Sequence, residues 1–156
     1  MAARVREFTA LSGAATPDRP SPMNKDEVKF LIRMCTSELV ELAQTVTNSA
    51  EEAMVMVRDA VGTDVKESEL PNNPVAVIAG QADAAVDTWI YILNAFAKKG
   101  VNLDPVFDEV HRANMDKRFP DGTFHRREDG KIIKPPEFVE ADVKKVIRKQ
   151  LADGAW

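Results

Sequence analysis

The sequence predicts an all-α protein: a four-helix-bundle core with short extra helices and a small C-terminal turn or hairpin segment. Three observations predict it. The 156 residues are 44% hydrophobic with only 7 glycines, apolar positions recur at three- and four-residue spacing over long segments, and period-two runs of β-branched residues are scarce. A chain of this length buries one core of useful size. A single domain over residues 1–156 is therefore expected, with its core at about 24–118 and a C-terminal arm at about 119–156.

The elements follow in order. "RVREFTALSG" sets Val5, Phe8 and Leu11 at helical spacing and stops at Gly13, a short amphipathic helix. "ATPDRPSP" carries three prolines and reads as a connector. Asn24 caps the second helix and Glu27, three residues on, completes a capping-box pattern. That helix continues through Phe30, Leu31, Met34, Cys35, Leu39, Leu42 and Val46. "NSAEEAMVMVRDAVG" starts a third helix from Asn48 or Ser49 and ends it at Gly62, and "TDVKESELPNNP" is a polar loop. The fourth, about Val75 to Lys99, carries Val77, Ile78, Ala82, Ala85, Val86, Trp89, Leu93 and Ala97 and stops at Gly100 in the manner of a glycine C-cap. "NLDPVFDEVHRANMDK" gives a fifth helix with Pro105 in its first turn. "DGTFHRREDGKIIKPPEF" has Asp-Gly twice, reads as turns or a small hairpin, and leads into a charged terminal helix around "EADVKKVIRKQLA".

Composition excludes several classes. The single cysteine, Cys35, builds no disulfide framework and points to a reducing compartment. No apolar run reaches about 18 residues, so no membrane span or membrane partner is expected. The start mixes Arg4 and Arg6 with Glu7 in a short, broken apolar stretch, a poor secretory signal. The cytoplasm is the expected compartment, with the mitochondrion as the weaker alternative. Net acidity, without interleaved basic and aromatic residues, disfavours nucleic acid as a partner.

Charge is uneven along the chain. Residues 37–110 hold 13 Asp and Glu against 4 Lys and Arg, whereas residues 111–134 hold 7 Lys and Arg against 4 acids. Solvated faces would account for both segments; a metal bound together with a polyanion such as a nucleoside triphosphate would account for them jointly. Glu38 and Glu41 are three apart and share a helical face with Met34 and Thr45. Asp83 and Asp87, four apart, share another with Ile90 and Asn94. Both pairs border apolar stripes, and an antiparallel pairing of the second and fourth helices would bring all four carboxylates together. Four converging like charges need a compensating cation to stay ionised. Oxygen-only ligands suit Mg²⁺, with Mn²⁺ as a substitute.

Three stretches, "SELVELAQ", "QADAAVDTWIYILNAFAKKGVNLDPVFDEVHRANMDK" and "DGTFHRREDGKIIKPPEF", carry a resemblance. From about Phe8 to Phe138 the chain resembles the all-alpha nucleoside triphosphate pyrophosphohydrolase superfamily of MazG proteins, dimeric dUTPases and phosphoribosyl-ATP pyrophosphohydrolase, most nearly the last branch. The resemblance implies a MazG-like bundle assembled as a homodimer or homotetramer, and Mg²⁺-dependent cleavage between α and β phosphates to a monophosphate and pyrophosphate. It implies metal ligation by Glu38 and Glu41, either of which would be the catalytic base, and by Asp83 and Asp87. The match at the second pair departs from the family's E-x-x-D: the glutamate position is Gly80 if Asp83 is the family aspartate, and Ala84 if Asp87 is. An acid common just before the first pair is Ser37 here. Asn114 and Lys117, three apart at the end of the fifth helix, correspond to the family's phosphate-facing residues, and Arg112, Lys131 and Lys134 are further candidates for phosphate contact.

Trp89 and Tyr91 could stack on a base, though aromatics on bundle helices are more often core, and His111 and His125 have no ligand spacing. The competing reading is a non-catalytic oligomeric helical module, binding nucleotide or another protein, that has lost one metal ligand. A third is a purely structural four-helix dimer.

Overall fold

Side-chain chemistry sets most helix ends in the computed structural model, which describes residues 1–62, 73–128 and 131–156. The helices are α1 (Ala2–Leu11), α2 (Lys25–Gln44), α3 (Ala50–Ala60), α4 (Pro74–Ala97), α5 (Asp104–Met115) and α6 (Val143–Asp153). Among the described residues the β structure is limited to one isolated antiparallel bridge, Arg126 to Ile132. The all-α class is as expected. Most of the expected polar loop, residues 63–72, and the second Asp-Gly at 129–130 lie outside the described residues.

The chain divides into two compact units, one of Pro20–Ala84 and one of Met1–Arg19 with Ala85–Trp156. In the first, the Asn24 side chain accepts the N–H groups of Asp26 and Glu27 while Glu27 accepts that of Asn24, the full capping box. Ser49 caps α3 by accepting the Glu52 N–H at 3.1 Å, and Glu52 accepts that of Asn48 at 2.8 Å. The short connection 45–49 folds α2 and α3 into a helical hairpin. Ala43 and Ala53, the one buried residue on each, let the two backbones approach.

The expected pairing of α2 with α4 is not made by the part of α4 that lies in this unit. Within the unit α2 packs on α3, and the 74–84 stretch of α4 packs on neither. What ties that stretch to α2 is Gln81, whose amide accepts the Met23 N–H and donates to the Met23 carbonyl, both at 2.9 Å. Five-residue connections favour adjacent antiparallel helices, and hydrophobic periodicity alone does not say which neighbour a stripe meets. The α2–α3 pair leaves an apolar groove of about 480 Å³ lined by residues that include Leu39, Leu42, Val46, Met56 and Val61.

In the second unit α5 is central, packed by α1 on one side and α6 on another. Arg4 pairs with Asp108 and lies over the Phe107 ring at 5.2 Å, and Phe8 meets Phe124 edge to face at 5.5 Å. Arg126 donates to the Ser12 carbonyl at 2.8 and 3.0 Å, closing the end of α1 against the 119–134 segment. The α4 helix ends at Gly100, where φ is +72° and the Val101 N–H reaches the Phe96 carbonyl at 3.0 Å. Beyond it, Gln150 of α6 accepts the Asn102 N–H and donates to the Asn102 carbonyl at 3.0 and 2.8 Å.

The 85–97 stretch of α4 packs on none of α1, α5 or α6. No residue of α4 is buried, and Val86, Ile90 and Tyr91 are 51%, 53% and 75% exposed. A helix this rich in apolar residues normally buries a face.

Candidate active site

Glu38 and Glu41 stand on the outer side of α2. At 100° per residue they lie roughly opposite Ala43, the residue α2 buries, and they share that outer face with Met34 and Thr45. Both are exposed, as are Asp83 and Asp87 on α4. None of the four makes a hydrogen bond or ion pair among the described residues, so all their oxygens are available to a cation.

Within the unit that holds them, Glu38 and Glu41 do not converge with Asp83. Gln81 fixes the neighbourhood of Asp83 to the beginning of α2, whereas Glu38 and Glu41 stand about 21 and 26 Å along that helix from Asn24. Among the described residues no three acidic, histidine or cysteine side chains group as a metal site. Each pair by itself has the hard, unpartnered oxygen donors that Mg²⁺ takes.

The basic candidates do come together. Asn114 accepts a hydrogen bond from Lys117 at 2.7 Å, and Glu140 accepts one from Lys134 at 2.6 Å. The Arg127 N–H to Lys131 carbonyl and Ile133 N–H to His125 carbonyl bonds, 2.9 and 2.8 Å, fold the 131–134 stretch back. Burial holds the Lys117 ammonium below its usual pKa, and repulsion from Lys134 and Lys131 adds to this. An anion seated among these three lysines would relieve that repulsion.

Arg112 is placed differently. It donates to both Glu109 oxygens at 2.7 and 3.1 Å, to Asp116, and to the Glu140 carbonyl at 3.2 Å. Its guanidinium braces α5 against the segment before α6. Glu109 also accepts the Asp142 N–H at 2.9 Å. Neither Glu109 nor Glu140 was singled out from sequence, although the i,i+3 and i,i+4 spacing of Glu109, Arg112 and Asp116 was there to read. His125 pairs with Asp121 at 2.9 Å and stacks on Phe119 at 3.9 Å, fixing the first Asp-Gly turn.

A model of the phosphoribosyl-ATP pyrophosphohydrolase family matches residues 5–114. Among solved structures, the chain is similar to a candidate NTP pyrophosphohydrolase from Exiguobacterium sp. 255-15, with 26% identity over 97% of this chain and 96% of that one and a TM-score of 0.80. The search of curated proteins finds no match. All four carboxylates lie inside the family match; Lys117, Lys131 and Lys134 lie beyond it.

The Glu109 carboxyl generates a prediction about acid. Its hydrogen bond from Arg112, then that from the Asp142 N–H, hold it at about 2 against an ordinary 4.5. A depressed carboxylate stabilises the fold above its unfolded pKa and loses that contribution as pH falls through the folded one. Stability followed by urea titration should therefore drop between pH 4.5 and about 2, and Glu109→Gln should flatten part of that drop while lowering stability at pH 7. Asp121, held at about 2 chiefly by the Thr123 N–H, accounts for a further part.

Proposed function

The chain belongs to the phosphoribosyl-ATP pyrophosphohydrolase family and is a hydrolase of nucleotide pyrophosphate bonds, and from that premise we propose that it is a Mg²⁺-dependent nucleoside triphosphate pyrophosphohydrolase. It cleaves between the α and β phosphates to a monophosphate and pyrophosphate, in a house-cleaning role toward nucleotides or deoxynucleotides. One observation carries the reading: the family match spans two acidic pairs whose four carboxylates have no partner among the described residues.

Glu38, Glu41, Asp83 and Asp87 would hold Mg²⁺, which when bound neutralises the triphosphate and acidifies water. Glu38 or Glu41 orients the attacking water and takes its proton. The water oxygen bonds to the α phosphorus as the bond from that phosphorus to the α–β bridging oxygen breaks. Pyrophosphate leaves with the electron pair, and Lys117, steadied by Asn114 and backed by Lys131 and Lys134, stabilises its charge.

Self-association into a homodimer or homotetramer is part of the proposal. The uncovered apolar residues of α4, Val86, Trp89, Ile90, Tyr91 and Ile92, support it. The separation of Glu38 and Glu41 from Asp83 supports it as well, since a second copy can supply what one chain keeps apart. Light scattering should return a multiple of 17.3 kDa; a monomeric mass at working concentration would remove this part.

Turnover is tested on a panel of ribo- and deoxynucleoside triphosphates with and without Mg²⁺. Monophosphate and pyrophosphate should appear in equal amounts, only with metal, and Glu41→Gln should lower kcat by about 10²–10⁴. Absence of product with retained Mg²⁺-dependent nucleotide binding would favour the non-catalytic module, whose support is the missing glutamate of the second pair.

Gly80 separates the two readings further. A Cβ built there meets nothing within 4 Å; Gly80→Glu recreates E-x-x-D with Asp83 and should add about 0.5–1 kcal/mol of helix stability. Tighter Mg²⁺ binding by calorimetry is the expected result. Unchanged affinity would mean that Asp83 is not a ligand.

A further inference from the structure

A pocket of about 460 Å³ lies where the end of α4 meets the 101–104 turn and the C-terminal tryptophan. Ile90, Leu93, Asn94, Leu103, Asp104 and Trp156 are among its lining residues, and none of them has a part in the metal or phosphate chemistry above. Its volume suits a small organic ligand. The Asn102 amide fixes the pocket's rim: it donates to the Ala155 carbonyl beside Trp156 at 3.0 Å and accepts the Asp104 N–H at 3.0 Å.

Helix geometry connects this pocket to the acidic pair. Asp87, Ile90 and Asn94 share one face of α4, with Asn94 about 10 Å beyond Asp87. That is the reach of a nucleotide from its phosphates to its base. The lining chemistry matches a base too. Ile90 and Leu93 give an apolar floor, and the Trp156 indole, 83% exposed, offers a free ring face. The side chains of Asn94 and Asp104 make no hydrogen bond among the described residues. An ionised Asp104 only accepts, so it favours a partner with N–H donors.

We propose that this pocket is the base subsite of the substrate and that it takes a base with an exocyclic amino group. Trp156 stacks on the ring, Asp104 accepts from the amino group, and Asn94 pairs with a neighbouring ring atom. Adenine, guanine and cytosine carry the amino group. Uracil and thymine present carbonyl oxygens instead, which the Asp104 carboxylate repels. The proposal rests on the nucleotide reading above and adds the side of the substrate that reading leaves open.

The test compares KM and kcat for dCTP, dATP, dUTP and dTTP in wild type, Trp156→Ala and Asp104→Asn, with the inhibition constant of tripolyphosphate as a probe that has no base. Wild type should favour the amino-bearing substrates through KM by about tenfold or more, as expected of one discriminating hydrogen bond. Trp156→Ala should raise the KM for dCTP by about fivefold or more, the low end for a base–aromatic stack, and move the tripolyphosphate constant less. Asp104→Asn, whose amide can donate to a carbonyl, should narrow the gap between dCTP and dUTP. Equal losses for dCTP and tripolyphosphate, or a change in assembly mass with KM intact, would overturn the subsite while leaving the hydrolase reading standing. A wild type that neither hydrolyses nor binds any of the four, the latter measured by calorimetry, would bring down both.

Discussion

The basic edge is built outward from the carboxylate of Glu109. That group accepts hydrogen bonds from Arg112 on its own helix and from the Asp142 N–H at the start of α6. Arg112 then reaches the Glu140 carbonyl, and the Glu140 carboxylate receives Lys134. Exposed ion pairs are individually worth little. Here each one orders the side chain that the next one uses, so the entropic cost of adding a partner falls along the series. The consequence is positional: Lys134 is held where its charge bears on Lys117.

Two unbalanced charges result, of opposite sign. Among the described residues the acidic pairs have no cationic partner, and Lys117 and Lys134 together carry more positive charge than Glu140 offsets. Neither is a stability device, because each would be better satisfied by a pairing the sequence could have supplied. A phosphate chain is the complement of the basic cluster, and a divalent cation is the complement of the acidic pairs. The proposed chemistry follows from that complementarity more than from any single residue.

Local signals were legible in the sequence and tertiary ones were not. The capping box at Asn24 and Glu27, the glycine stop at Gly100 and Pro105 in the first turn of α5 are all decided by groups within a few residues of one another, and each was readable. The choice of neighbour for α2 depends on a five-residue connection and two alanines, which apolar periodicity does not rank. Hence the packing of α2 on α3 within its unit was not legible, although both helices were. The basic run at 111–134 and the family resemblance suggested a phosphate edge; they could not say that Arg112 would be taken up by Glu109 and Asp116, since that depends on which rotamer the fold holds. The apolar pocket at the end of α4 had no sequence signal, because its lining comes from three separate segments.

The bareness of α4 bears on how substitutions in this protein should be interpreted. Val86, Ile90, Tyr91 and Ile92 have the exposure of surface positions in the single chain and the composition of interior ones. Tolerance to change is usually inferred from burial, and along this helix that inference runs backwards. A serine or lysine placed there takes little from the packing of the single chain, yet it removes apolar area of the kind that drives association. An uncovered apolar helix of this kind is also a place where chains can aggregate as they are made.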